Sequence, residues 1–233
     1  MPRVVKEYAV RRNEILDTAQ RLIYTKGYDR MTIQDILDDL QIAKGLFYYY
    51  FDSKQAMLTA LTERLMEMSA QVLVPIVNDS DLGALEKLQQ FFATIVQWDT
   101  EQKTVLLALL PVWYMDENAI VREKMLMAMM QYDAPLLATI IQQGVQEGVM
   151  RTVYPDQASD IALLLFQGVK QALAQLLLSA ESKRSVRQRS EIIITAYTDA
   201  LERILGIPPH TLNLADSSTL KQWFESSTAD DDA

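Results

Sequence analysis

Cysteine is absent from the 233 residues and histidine occurs once. The first absence excludes a disulfide scaffold and a thiolate metal site, and it fits a reducing cytoplasm. The lone His210 follows Pro208 and Pro209 in an expected turn, where a solvated role outweighs a catalytic one. No glycine-rich phosphate loop is present: Gly144 and Gly148 follow no strand and precede no phosphate site. No pair of carboxylates stands at a convincing spacing either. Without a catalytic constellation the chain is not expected to be an enzyme, and neither a metal nor a cofactor is implied. The opening MPRVVKEYAVRRNE is basic but lacks the apolar stretch of an export signal. The longest uninterrupted apolar run, residues 105–115, is about half of what a membrane span requires and contains Pro111. The expectation is a cytoplasmic protein with no membrane partner.

What is present is apolar bulk: 49% of residues are hydrophobic, enough for a real core. Only residues 226–233, SSTADDDA, read as a disordered acidic tail. The net charge of −9 is unevenly spread. Residues 1–54 hold 9 basic and 8 acidic side chains, and the remainder holds 13 and 23. Any surface that faces phosphate therefore belongs at the N-terminus, and the acidic remainder is repelled by nucleic acid.

Helical periodicity dominates the chain. A first helix is predicted over 8–26, with Ile15, Leu16, Ala19, Leu22 and Ile23 on one face and Gly27 as a left-handed cap. Thr32 is placed as the N-cap of a short helix ending at Leu40, with Asp35 near the positive end of its dipole. After a tight connection at Gln41 and Ile42, a third helix is expected over 43–50. A long fourth helix, capped by Asp52 or Ser53, is expected to stop before Pro75. Further helices are read over 83–98, 102–115, 117–146 (kinked at Pro135), 155–182 and 186–205, with a short appendage around 218–225.

The segment 30–58, RMTIQDILDDLQIAKGLFYYYFDSKQAML, carries the chemistry. A capped short helix, a tight turn and a second short helix make a helix-turn-helix, whose second helix enters the major groove. Ile36, Leu40, Ile42, Phe47 and Phe51 can face inward. That leaves Lys44, Gly45, Leu46, Tyr48, Tyr49 and Tyr50 on the expected DNA side. Lysine reaches phosphate or guanine acceptors, glycine permits close backbone approach, and tyrosine offers a hydroxyl and a ring. Lys54 and Thr32 stand at helix N-termini, where N–H groups favour phosphate.

This segment, with the preceding T-K-G-Y, resembles the signature of the tetracycline-repressor (TetR) family over about residues 10–60. The sequence departs from the usual pattern at Gln41 (commonly glycine), Ala43 (commonly Ser or Thr), Leu46 (a small polar residue) and Leu37 (alanine). Asp38 and Asp39 are unfavourable beside phosphate unless they face away. The implied fold is all-α: a three-helix DNA-binding domain over 1–54, a larger helical ligand-binding and dimerisation domain over 55–206, and an appendage over 207–233. The implied function is a transcriptional repressor on double-stranded, pseudo-palindromic operator DNA. A small-molecule effector would release it by shifting the fourth helix.

Such modules act as symmetric homodimers. Gly168 and Ala172, and Ala196 and Ala200, form small-residue strips on the last two long helices, where the resemblance implies a four-helix dimer interface. The same strips could instead ease packing within one subunit. For the effector, adaptable apolar side chains are the candidates: Phe92, Trp98, Trp113, Tyr114, Met125, Met129, Tyr132 and Phe166, with Gln167 as a polar contact. Lys170, Gln97 and Asp133 are further polar candidates. Each of these residues has a plain core or solvated-face reading beside the functional one.

Overall fold

The computed structural model describes residues 8–214 together with Thr219, Gln222 and Trp223. Among these residues there is no strand. The helices are α1 (Tyr8–Lys26), α2 (Ile33–Leu40), α3 (Lys44–Tyr50), α4 (Lys54–Asn78), α5 (Ala84–Glu101), α6 (Lys103–Trp113), α7 (Ala119–Gln146), α8 (Pro155–Leu178) and α9 (Lys183–Leu205), with a 3₁₀ turn at Asp116–Asn118. They form two compact units. The first comprises the described residues up to Met66 with Thr104–Ala128, and the second comprises Glu67–Lys103 with the described residues from Met129 onward.

In the first unit the predicted face of α1 is the buried one: Ile15, Leu16 and Ala19 have no exposed surface, and Leu22 and Ile23 are nearly sealed. Met31 meets them from the segment before α2, Ile36 and Leu37 from α2, Phe47 and Phe51 from α3 and its cap, and Met57, Leu58 and Leu61 from α4. Leu109 and Trp113 of α6 pack against the same cluster. Each large side chain sealed here is worth about 1.5–3 kcal/mol of transfer free energy, so the small helices are fixed by their shared core and not by propensity.

The helix ends follow local chemistry. Gly27 takes φ 79, and the Thr32 hydroxyl accepts the Asp35 N–H at 3.1 Å while the Asp35 carboxylate accepts the Thr32 N–H at 2.8 Å. The Ser53 hydroxyl accepts the Ala56 N–H at 3.0 Å and so caps α4. The expected stop at Pro75 is not observed, because α4 continues to Asn78. Proline removes only one N–H from a ladder, and the carbonyl of Val77 in the final turn accepts Lys87 Nζ at 2.8 Å. Pro111 and Pro135 are likewise accommodated inside α6 and α7. The break between the last two long helices also differs from expectation. Helix α8 ends at Leu178, and Ser182 accepts the Ser185 N–H, so that α9 begins three residues early.

The second unit buries Leu88, Phe91, Phe92 and Ile95 of α5, Leu137, Ile140 and Ile141 of α7, Ala162, Leu163, Phe166 and Val169 of α8, and Leu201 and Leu205 of α9. A polar clasp ties α5 to α7: buried Lys87 donates to Gln143 Oε1 at 2.8 Å, and Glu147 accepts the Ala84 N–H at the start of α5. That backbone donor, then Gln143, holds the Glu147 carboxyl below its ordinary range. Gly206 ends α9 at φ 63. His210 is exposed, also at positive φ, and its N–H donates to Glu202. Of the expected appendage, Trp223 Nε1 donates to Thr100 Oγ1 at 2.9 Å; the acidic tail over 226–233 lies outside the described residues. Helix α8 is the one helix, among the described residues, long and apolar enough by composition to cross a membrane. The uninterrupted run at 105–115 did not single it out.

Candidate nucleic-acid interface

Helices α2 and α3 meet through a three-residue turn with an unusual corner. Gln41 adopts φ 52 and ψ 46, its N–H bonds the Leu37 carbonyl, and its amide Nε2 donates to the Asp38 carbonyl. This left-handed position is the one where the resemblance expects glycine, and the side-chain bond helps to hold a conformation that a β-carbon disfavours. Ala43 is extended and caps α3 with no side-chain hydrogen bond. The helix is instead anchored by Phe47, which has no exposed surface, and by Phe51.

Anchoring Phe47 inward turns the opposite face of α3 to solvent. Lys44 and Gly45 are exposed, Tyr48 is 43% exposed and Tyr49 68%. Lys44 Nζ lies 5.9 Å from the Tyr48 ring centroid, one turn along. No atom lies within 4 Å of where a Gly45 β-carbon would stand, so the backbone there is open to approach.

Two of the expected contact residues are placed differently. Tyr50 is half-buried and packs against the core cluster, and Leu46 is also half-buried. In a helix of seven residues the inward stripe of Phe47 and Phe51 takes its immediate flank with it, so the three tyrosines do not share one face. Tyr8 is a neighbour that the sequence pattern did not reveal. Its ring centroid lies 4.8 Å from that of Tyr50 and 5.9 Å from that of Tyr49, so α1 buttresses the exposed tyrosine. No periodicity marks Tyr8, because it precedes the apolar face of α1.

The helix-terminus residues also resolve. Thr32 is exposed at the start of α2. Lys54 is half-buried, its Nζ donates to the Tyr28 carbonyl, and it lies 4.1 Å from the Tyr28 ring centroid. Burial lowers the Lys54 pKa, against the opposing pull of Asp29 and Asp35. The acidic residues of α2 are locally occupied. Asp39 pairs with Arg21, and Asp38 accepts from Gln34 at 2.7 Å. Asp35 is held at about 2 by Lys26 first and the Thr32 N–H second. Their negative charge is therefore partly answered within the domain.

The effector candidates fall into both units. Phe92, Phe166 and Met129 are buried in the second, with the two rings 5.0 Å apart, while Trp98, Tyr132 and Gln167 are half-buried there. Tyr132 Oη donates to Glu67 at 2.7 Å. Trp113, Tyr114 and Met125 belong to the first unit. Trp113 packs on the helix-turn-helix core, and Tyr114 lies beneath the Arg122 guanidinium at 5.8 Å. Among the small residues, a β-carbon on Gly168 would stand 2.9 Å from the Tyr197 ring, so this glycine serves α8–α9 packing within the chain. Ala196 is exposed, and Ala172 and Ala200 are half-buried. No group of three or more metal-ligating side chains occurs among the described residues.

Comparison with known proteins agrees with this geometry. The profile of the bacterial regulatory proteins of the tetR family matches residues 15–61, and that of the tetracyclin repressor-like C-terminal domain matches residues 113–172. An uncharacterized helix-turn-helix regulator of Lactococcus lactis subsp. lactis is 33% identical over 92 residues, 40% of this chain and 47% of that protein. The match thus spans about half of that relative's length. The transcriptional repressor DhaR of Mycobacterium sp. is 22% identical over 157 residues, 67% of this chain and 79% of DhaR. Among solved structures, a TetR regulator from Haloarcula marismortui shares the fold with a TM-score of 0.58 at 23% identity, over 81% of this chain and 98% of that one. With the capped α2, the left-handed turn and the exposed face of α3 in place, the chain belongs to the TetR family of helix-turn-helix transcriptional regulators.

Proposed function

We propose that the chain is a cytoplasmic repressor that binds a pseudo-palindromic operator as a homodimer and leaves it when a small, largely apolar molecule occupies the C-terminal domain. The observation that carries the DNA half is the solvent-facing Lys44–Gly45–Tyr48–Tyr49 surface on a helix pinned from behind by Phe47. Lys44 supplies charge, Tyr49 supplies a hydroxyl and a ring for groove contacts, and Gly45 lets backbone approach. Thr32 adds a hydroxyl at the start of α2. Lys54 acts chiefly by holding the Tyr28 carbonyl and thereby the entry to that helix. Residues 1–54 serve as the DNA-binding domain and 55–206 as the regulatory domain.

Dimerisation is assigned to α8 and α9. Ile161, Leu164 and Leu178 of α8 and Ile192 of α9 are 44–61% exposed in the single chain, an apolar display that a second copy would cover. The name of the Mycobacterium relative supports repression as the outcome.

The test is fluorescence anisotropy with labelled duplexes from the upstream region of the gene, followed by selection from random DNA. Lys44→Ala and Tyr49→Ala should each weaken binding by about tenfold, with an unchanged helical spectrum. Log affinity should also fall with log salt. Unchanged affinity in both variants removes the proposed recognition face.

A further inference from the structure

Three helices of the second unit carry charged side chains into its interior: Asp99 on α5, Asp133 on α7 and Lys170 on α8. Asp99 is 9% exposed and Asp133 5%. Lys170 Nζ reaches Asp99 Oδ2 at 2.7 Å, so this pair is complete. Asp133 is not. Its Oδ1 is sealed from solvent and accepts no hydrogen bond, a rare condition for a buried carboxylate. Within this group of three the two carboxylates outnumber the one ammonium. Burial, opposed only by the field of Lys170, raises the Asp133 pKa to about 6, so the group still ionises at neutral pH.

The surroundings are apolar. Phe92 and Ile95 share the Asp99 face of α5, Met129 and Leu137 flank Asp133 on α7, and Phe166 lies one turn before Lys170 on α8. All five are buried, and the Phe92 and Phe166 rings touch. The Lys170 side chain, 37% exposed, links the cluster to solvent. Pro135 supplies no N–H to the Gln131 carbonyl, so α7 loses a ladder bond within one turn of Asp133. Met129, long and unbranched, can move aside. A buried acceptor oxygen without a donor, one helical turn from Met129 and Leu137 and beside a weakened turn, is suited to meet a cation on an apolar body.

We infer that Asp133 is the charge-reading contact of the effector site, and that the effector is an organic monocation: a protonated amine on an aromatic body. Its ammonium N–H donates to Asp133 Oδ1, and its body lies against Met129, Phe92 and Phe166. The inference rests on the proposal that this domain binds an effector, and it names the chemistry of that effector. A purely structural role for Asp133 is disfavoured, since an unpaired buried carboxylate destabilises the fold it sits in.

The probes are 4-phenylbutylamine, its neutral acceptor-only counterpart 4-phenylbutyronitrile, and the anion 4-phenylbutyrate, titrated calorimetrically into the full chain without DNA. The amine should bind at least about tenfold more tightly than the nitrile, the range of a hydrogen bond to a charged group. The anion should not bind. Asp133→Asn should remove the preference for the amine and leave nitrile affinity unchanged. Near pH 6 amine binding should release protons, read as a dependence of the heat on buffer ionisation enthalpy, and Asp133→Asn should abolish that release. Equal affinity for amine and nitrile, a preference that survives Asp133→Asn, or no saturable binding of the amine at millimolar concentration overturns the assignment. Operator binding without amine preference defeats this inference alone. Amine preference in a chain that binds no DNA defeats the repressor proposal alone.

Discussion

Replacing Asp133 by asparagine keeps the shape of the side chain and removes its ability to ionise, so its effect on stability should depend on pH in a predictable direction. An ordinary aspartate titrates at 3.8 and Asp133 at about 6, raised by burial and only partly relieved by Lys170. A raised carboxyl pKa means that the folded chain holds the proton more tightly than the unfolded chain. Below about pH 4 both states are protonated and no penalty applies. As pH climbs from about 4 to about 6 the unfolded carboxyl ionises freely while the folded one resists, and stability falls. Above that window the loss is constant. At about 1.4 kcal/mol per pH unit it amounts to roughly 3 kcal/mol. Asp133→Asn does not titrate, so its stability relative to the wild type should rise across the same window by about that amount. Asp35 and Glu147, whose pKa values are lowered, contribute the opposite slope, but equally in both proteins. Urea unfolding at a series of pH values from about 4 to 8, followed by circular dichroism, measures the difference directly. Parallel profiles would refute the argument, because they would mean that Asp133 is solvated or partnered in the folded chain.

Three further outcomes follow from local geometry. Phe47→Ala empties a fully buried ring site and should cost about 3–5 kcal/mol in urea unfolding. A loss below about 1 kcal/mol would contradict its role as the anchor of α3. Gln41→Gly relieves a left-handed residue by about 1 kcal/mol and forfeits the Nε2 bond to Asp38, so the thermal midpoint should hold or rise slightly. A clear fall would show that the side-chain bond dominates the turn. Gly206→Ala places a β-carbon 2.8 Å from the Arg151 carbonyl oxygen in a residue at φ 63, and should destabilise by more than about 1–2 kcal/mol. Wild-type stability there would mean that the end of α9 relaxes freely.

The helix-turn-helix was legible because its signals are local. Thr32 with Asp35, Gly27 after Lys26, and the apolar face of α1 each act within four residues and leave a mark in the sequence. The pattern is silent where a distant partner decides. Pro75 reads as a stop, yet Lys87 from α5 bonds the last turn of α4 beyond it. Tyr50 reads like Tyr49, but Tyr8 and the core draw it inward. Lys54 reads as a free charge, whereas its ammonium is held by the Tyr28 carbonyl. The effector candidates were chosen by residue type alone, and type does not reveal that Trp113 serves the helix-turn-helix core. Asp133 was named among polar candidates, but its orphaned oxygen is a property of packing that no linear pattern encodes.

The packing of Leu109 and Trp113 on the core of the first unit bears on how exchangeable such reading heads are. A graft that moves only the N-terminal helices into a related protein would leave behind part of the surface on which they close. The transplanted head would then meet foreign side chains where an indole and a leucine had been fitted to its core. Chimeras that carry residues 104–128 along with the N-terminal segment should retain a well-formed head, and those that omit them should lose it. For this chain the unit of inheritance is therefore two stretches of sequence, about forty residues apart, that change together or not at all.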